Sequence, residues 1–143
     1  MDSNFAIAHY ELGQAYQQKS MHDEAIEEFK RAIQLSGDNE IFNANLAYAY
    51  AASGRQEEAT KIVKELEDRQ NIHSSTDANI ALIYVGLGDR DQAMIWLDKA
   101  YQARFNPSML LRPAWDPLRS DARFRDLLRR IGLPQVAGRD LLH

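Results

Sequence analysis

The sequence predicts an all-α protein, an array of three helix–turn–helix units closed by a further helix at its C-terminal end. The first observation is a 34-residue period, which spaces Tyr16, Tyr50 and Tyr84 equally. The second is that each period holds two apolar stripes at helical spacing, separated by a short polar turn. The third is that the acidic chain becomes basic after residue 103. Five further sets share the period: Leu12, Leu46 and Ile80; Ser20, Gly54 and Gly88; Ala25, Ala59 and Ala93; Phe29, Val63 and Leu97; and Ala32, Leu66 and Ala100.

Small residues stand where the two helices of one unit must approach each other closely. A larger side chain would push the helices apart, at a cost of about 1–3 kcal/mol. Gly54 and Gly88 are expected to end their helices in the left-handed conformation, and Asn39 and Ser74 to cap the helices that follow. The small residues are Gly13, Ala47 and Ala81 in the first helices, and Ala25, Ala59 and Ala93 in the second helices.

These elements resemble the tetratricopeptide repeat, a helix–turn–helix unit of 34 residues. The Leu-Gly-x-x-Tyr element of that family is matched by Leu12-Gly13-Gln14-Ala15-Tyr16, and its Ala-x-x-x-aromatic element by Ala25 to Phe29. The Trp that often opens the motif is absent from all three units. By the two elements together, the first unit is the best match and the third the loosest. The resemblance implies a right-handed superhelical array in residues 1–107, with units at about 6–39, 40–73 and 74–107.

The last forty residues are predicted to be a distinct unit. Residues 104–143 carry 8 Arg and 4 Asp, whereas residues 1–103 carry 9 Lys or Arg and 17 Asp or Glu. We expect a capping segment over 108–134 and a tail over 135–143. Within the cap, Asp116-Pro117 would open a helix, and Ser120 would cap a last helix of about 121–131. That helix would cover the third unit with its apolar stripe: Phe124, Leu127, Leu128 and Ile131.

The capping segment carries a second resemblance. The stretch Asp116-Pro117-Leu118-Arg119-Ser120-Asp121, with the Leu-Leu-Arg-Arg-Ile-Gly-Leu-Pro run at 127–134, is similar to the end of many bacterial tetratricopeptide proteins. In those proteins the array often follows a serine/threonine kinase, a winged-helix DNA-binding domain or a nucleotide cyclase. The resemblance implies a regulatory or interaction module. The arginines of the last helix would face water, or alternatively an acidic surface or nucleic acid.

The sequence contains no recognisable catalytic, metal or cofactor motif. It has no cysteine, and its four histidines, at 9, 22, 73 and 143, include no pair at i and i+4. His9 is expected to be a packed core histidine. Adjacent carboxylates such as Glu27 and Glu28 are expected on solvated helix faces. We therefore predict a non-enzymatic protein without metal or cofactor.

The resemblance implies that the first helix of each unit lines a concave groove. No Lys or Arg lies among the groove positions, so a clamp for a carboxylate is not favoured; Asn45 alone matches one. The groove would offer apolar contacts, phenols and amides. Its predicted residues are Ile7, Tyr10, Gln14 and Gln17 from the first unit, Ile41, Ala44, Asn45, Tyr48 and Ala51 from the second, and Ala78, Asn79, Leu82 and Val85 from the third.

The predicted function is a protein-interaction scaffold that binds a peptide or helix of a partner in this groove. Replacing Tyr48 or Leu82 by Glu would then abolish binding and leave the helices intact. In the alternative, both side chains pack only against neighbouring helices or the chain's own tail. A second function is self-association of a larger regulator, and nucleic-acid binding is the least favoured. Neither a signal peptide nor a membrane span is visible, so a cytoplasmic location is expected.

Overall fold

The computed structural model describes residues 3–69 and 74–133, and in this part of the chain it is an all-helical array without strands. Three helix pairs follow one another and are succeeded by two short 3-10 helices and a last α-helix. The predicted fold class is thus confirmed, while the exact unit boundaries stay a prediction. The predicted tail, His73 and His143 lie outside the described residues. The α-helices are α1 (Ser3–Gln18), α2 (His22–Ser36), α3 (Glu40–Ala52), α4 (Gln56–Glu67), α5 (Ser74–Leu87), α6 (Arg90–Gln102) and α7 (Ala122–Ile131).

The turn inside each helix pair has the same geometry. Gly54 and Gly88 have φ of 88° and 79°, and Ser20 at the equivalent position has φ of 59°. After each of them the chain turns back, and the next amide donates to a carbonyl five residues earlier, as Arg55 does to Tyr50 over 2.8 Å. This is the Schellman arrangement that closes a helix end, so both glycines end their helices as predicted.

Two helix starts differ from the sequence prediction in detail. Asn39 caps α3 as expected, since its side chain accepts from the Phe42 amide over 3.1 Å. Ser74, however, is the first residue of α5. The cap of α7 is Asp121 rather than Ser120, because the Asp121 carboxylate accepts from the Arg123 amide over 2.9 Å.

The core runs between the helices of each pair and from pair to pair. The five predicted contact alanines, Ala25, Ala47, Ala59, Ala81 and Ala93, are fully buried. Gly13 is buried as well, and a Cβ atom placed on it would lie 2.6 Å from the Phe29 ring. The other pairs place an alanine where Gly13 stands and a smaller side chain where Phe29 stands, namely Val63 or Leu97. A large side chain on the second helix of a unit is thus accommodated by a glycine on the first helix, and a smaller side chain by an alanine.

We expect Gly13→Ala to destabilise the protein by about 1–3 kcal/mol, because overpacking outweighs the better helix propensity of alanine. Phe29→Val should be destabilising by itself, since it leaves a cavity. The double variant Gly13→Ala, Phe29→Val reproduces the pairing of the second unit and should recover part of the loss. Urea unfolding of the four proteins measures this coupling. Strictly additive effects of the two substitutions would contradict the idea that positions 13 and 29 compensate each other in volume.

The residues that follow α6 form a cap, but not quite the predicted one. Two 3-10 helices, Pro107–Leu111 and Pro113–Leu118, precede α7. The helix that was expected to start at Asp116-Pro117 therefore begins at Pro113 and contains Pro117. Together with α7 these helices bury a cluster against α5 and α6, and so close this end of the array. The fully buried members from the cap are Leu110, Trp115, Leu118, Phe124, Leu127 and Leu128.

A concave face partly filled by the chain itself

The candidate site is the face that α1, α3 and α5 present side by side. Consecutive first helices contact each other, α1 with α3 and α3 with α5. The predicted groove residues differ steeply in exposure along this face. Ile7 and Ile41 are 47% and 48% exposed, and four further residues are half-buried: Tyr10, Gln14, Gln17 and Asn45. By contrast, a third set is buried: Ala44, Ala51, Ala78, Asn79, Leu82 and Val85.

The buried end of the face is covered by the chain's own residues 107–118, which we call the crossing segment. It contacts α5, and its Trp115 and Leu118 belong to the same apolar cluster as Leu82 and Val85. The half-buried Tyr48 of α3 packs against this cluster and donates from its hydroxyl to the Ala114 carbonyl over 3.5 Å. The alternative in which Tyr48 and Leu82 pack against the chain itself is therefore what the structure contains.

Two phenols of this face have raised pKa values. Burial raises the pKa of Tyr10, and this effect is larger than the opposing effect of the Arg112 guanidinium in the crossing segment. Burial likewise raises the pKa of Tyr48, and the nearby Asp116 carboxylate adds to this shift. Both phenols therefore stay neutral at physiological pH. Arg112 brings a positive charge to a face that the repeat positions alone leave uncharged.

Arg119 holds the crossing segment in its folded shape. Its side chain is buried, and its Nη2 donates to the carbonyls of Leu110 and Arg112 over 3.0 and 3.3 Å. Its Nε donates to Asp116 over 2.7 Å, and its guanidinium lies 5.8 Å from the centre of the Phe124 ring. One guanidinium therefore joins both 3-10 helices to α7. The role of Arg119 was not predicted from the sequence.

The open end of the face is organised around Tyr10. Its hydroxyl accepts from the amides of Gln14 and Asn45 over 2.9 and 3.3 Å, and its ring packs 4.7 Å from the Phe42 ring, centre to centre. Asn45 also donates to the Ile41 carbonyl over 2.8 Å. These bonds fix the phenol and the two amides in one arrangement between the exposed Ile7 and Ile41. The face thus presents two apolar side chains beside a fixed polar cluster.

Asn79 is engaged within the array. It lies at the same repeat position as Asn45, yet its Nδ2 donates to the Glu40 carboxylate over 3.4 Å. Thr76 donates to the same carboxylate over 2.8 Å, and Arg69 lies 3.9 Å from it. Asn79 therefore helps to join two neighbouring helix pairs, whereas Asn45 remains on the open end of the face.

The expected effect of Glu at position 82 needs correction. Leu82 is 6% exposed and lies in the cluster that holds the cap on α5. A carboxylate at this position would be buried without a partner, which costs several kcal/mol. Leu82→Glu would thus disturb the fold as well as any binding, and so would Tyr48→Glu to a smaller degree. Variants that test the face must be made at its exposed residues.

Other polar groups serve structural contacts. His9 lies 2.6 Å from Glu28, and this carboxylate is buried, not solvated as predicted, with Arg31 at 3.0 Å. In the described ranges, no three His, Cys, Asp or Glu side chains are grouped to hold a metal ion. None of the described helices is both long and apolar enough to cross a membrane.

Three of the four arginines of α7, namely Arg123, Arg129 and Arg130, are paired with carboxylates at the surface. Arg123 lies 2.9 Å from both Asp91 and Asp121, and Arg130 lies 3.6 Å from Asp98 and 3.3 Å from Asp126. The Arg123 guanidinium lowers the pKa of Asp121 to about 2. Since these pairs reduce the positive potential of the helix, they argue against its use as a phosphate-binding face.

Comparison with known proteins agrees with the helical pattern. The family model described as "Tetratricopeptide repeat" matches residues 6–115, which includes most of the crossing segment. A curated relative, the TPR repeat-containing thioredoxin TTL4 of Arabidopsis thaliana, is 35% identical over 81 residues. The match covers 57% of this chain but only 12% of the plant protein. The finer resemblance to bacterial regulators stays a prediction.

Proposed function

Because the chain belongs to the tetratricopeptide repeat family, we propose that it is a non-enzymatic scaffold for a protein partner. The partner contributes a peptide or a helix, which binds the open end of the concave face. The crossing segment already fills the other end, so the bound element is short and contacts mainly α1 and α3. The observation that carries the proposal is the fixed cluster of Tyr10, Gln14 and Asn45 between two exposed isoleucines.

The chemistry of this face suits a segment with apolar anchors. Ile7 and Ile41 lie at the same position of consecutive repeats, so they offer two apolar contacts along the face. Tyr10 offers contact area together with a polar group, and the amides suit the backbone of an extended segment. Because hydrogen bonds already hold these side chains, little conformational freedom is lost when a partner binds.

The proposal can be tested by selecting peptides from a displayed random library on the whole protein. We expect the selected peptides to carry two apolar residues and to lose at least about tenfold in affinity for Ile7→Glu and Ile41→Glu. Both positions are exposed, so circular dichroism should show intact helices. The matched control is Ile95→Glu on α6, where the isoleucine is 47% exposed but lies away from the face.

The proposal is judged by which of the variants lose affinity for the selected peptides. If Ile95→Glu weakens binding as much as the two variants of the face, the site lies elsewhere and the proposal is wrong. Equal binding by all four proteins contradicts it as well. Amide chemical shifts of the labelled protein provide an independent check, since changes should concentrate in α1 and α3 and leave α6 unaffected.

A further inference from the structure

A second exposed surface lies on α1, on the side that faces away from α3. Phe5, Ala8, Leu12 and Ala15 follow one another at steps of three, four and three residues. Side chains at this spacing lie along one face of a helix and form the seam of a coiled coil. We call this surface the α1 end face. It is distinct from the concave face, because Ile7, Tyr10 and Gln14 lie on another side of the same helix.

The repeat period indicates which contact this kind of surface makes elsewhere in the array. The positions 34 residues after Ala8, Leu12 and Ala15 are Phe42, Leu46 and Ala49 on α3. Leu46 and Ala49 pack on the first helix pair, with Ala25, Ile26 and Phe29, and Phe42 packs on Ala6 and Ala32. The corresponding residues of α5 pack on the second pair in the same way. The α1 end face therefore has the form of a stacking surface.

This stacking surface is uncovered in the described part of the chain. Leu12 is 43% exposed, whereas Leu46 and Ile80 at the same repeat position are 8% and 0% exposed. Phe5 is 62% exposed, and Ala8 and Ala15 are exposed too. A contiguous stripe of apolar side chains on a helix favours association with another surface, because its burial removes apolar area from water.

The opposite end of the array limits the ways in which two copies can meet. Head-to-tail stacking would place the α1 end face of one copy on the third helix pair of the next. That pair is already covered by the crossing segment and α7, whose apolar side chains are fully buried there. The contact that remains for a second copy is a symmetric one, with the same surface used by both chains.

We propose that the α1 end face binds the same face of a second copy, with the two α1 helices antiparallel about a two-fold axis. In this register the residue numbers facing each other sum to 20. Phe5 then faces Ala15 of the other copy, and Ala8 faces Leu12. Each contact pairs a large side chain with a small one, so the stripe is complementary to itself in size. The concave face of each copy stays open in the dimer.

Sedimentation velocity over a range of protein concentrations tests the association. We expect reversible dimers, and Leu12→Lys should raise the dissociation constant by roughly 100-fold, because a charge would be buried without a partner. Phe5→Lys should act in the same direction. Both residues are exposed in the single chain, so the variants keep their helices. Ile95→Lys, which changes an isoleucine on α6 with an exposure close to that of Leu12, should dimerise like the wild type.

Cysteine crosslinking tests the register, since the natural sequence has no cysteine. Mixing the single variants Ala8→Cys and Leu12→Cys under mild oxidation should give a disulfide-linked dimer, because these positions face each other. Each variant alone should crosslink much less. Stronger crosslinking of the single variants by themselves would overturn the antiparallel register. A monomer at every concentration, or dimers unaffected by Leu12→Lys and Phe5→Lys, would overturn the proposal.

Discussion

Trp115→Ala is expected to lower the free energy of unfolding by about 3–5 kcal/mol, the usual cost of removing a large buried aromatic side chain. Trp115 is 1% exposed and belongs to the apolar cluster that joins the crossing segment and α7 to α5. Its removal leaves a cavity that the short 3-10 helices can fill only by leaving their present positions. Urea unfolding followed by circular dichroism measures the change directly.

The chain offers a matched control for this prediction in its second tryptophan. Trp96 on α6 is half-buried, and Lys99 lies 4.0 Å above its ring centre. Trp96→Ala should therefore cost clearly less than Trp115→Ala. In the Trp96→Phe background, the emission of Trp115 should be that of a buried indole and shift to the red on unfolding. Equal losses for both alanine variants would contradict the structural role given to Trp115.

Arg119→Ala is expected to destabilise the protein by about 2–3 kcal/mol, because it leaves the carbonyls of Leu110 and Arg112 without their donor. Arg119→Lys should recover only part of this loss. A single ammonium group cannot reproduce the planar fork that reaches two carbonyls and the Asp116 carboxylate together. Amide exchange of residues 107–118 should accelerate in both variants, more than exchange in α1 and α2.

Arg125→Ala is the control for the Arg119 variants. Arg125 is exposed and donates from Nη1 to the Ser120 carbonyl over 3.1 Å, so its removal should change stability by less than about 0.5 kcal/mol. If Arg119→Ala proved as neutral as Arg125→Ala, the bonds of the buried guanidinium would contribute nothing to the cap.

The fold could be predicted from the sequence because a repeat reports the same packing several times. Gly13 and Phe29, for example, occupy positions that recur as Ala47 with Val63. The crossing segment occurs only once in the chain, so the repeat period does not predict its position or its contacts. Trp115 and Leu118 lie among prolines in a stretch without helical periodicity, and their partners on α5 are some thirty residues away. The one sequence feature that could have indicated the crossing segment is Trp115, a large apolar residue that lies outside the predicted last helix.

The candidate site was predictable only in part for the same reason. Repeat positions identify which side of each first helix faces the concave surface. They do not show that the crossing segment covers Leu82 and Val85 while Ile7 and Ile41 remain exposed. Likewise, the charged groups that act on Tyr10 and Tyr48 are Arg112 and Asp116, which lie outside the repeats. The extent of the open groove therefore depends on which residues cover the face as well as on which residues line it.

The hydrogen bond between Tyr48 and the Ala114 carbonyl joins residues that are 66 positions apart in the chain. Arrays of repeats generally lose structure unit by unit from their ends, since each unit touches only its neighbours. In this protein the crossing segment packs on α5 and is also bound to α3, so it joins the end of the array to the second helix pair as well as to the third. Loss of the crossing segment is therefore expected to loosen α3 as well as α5, so that unfolding at this end of the array spreads over two helix pairs at once.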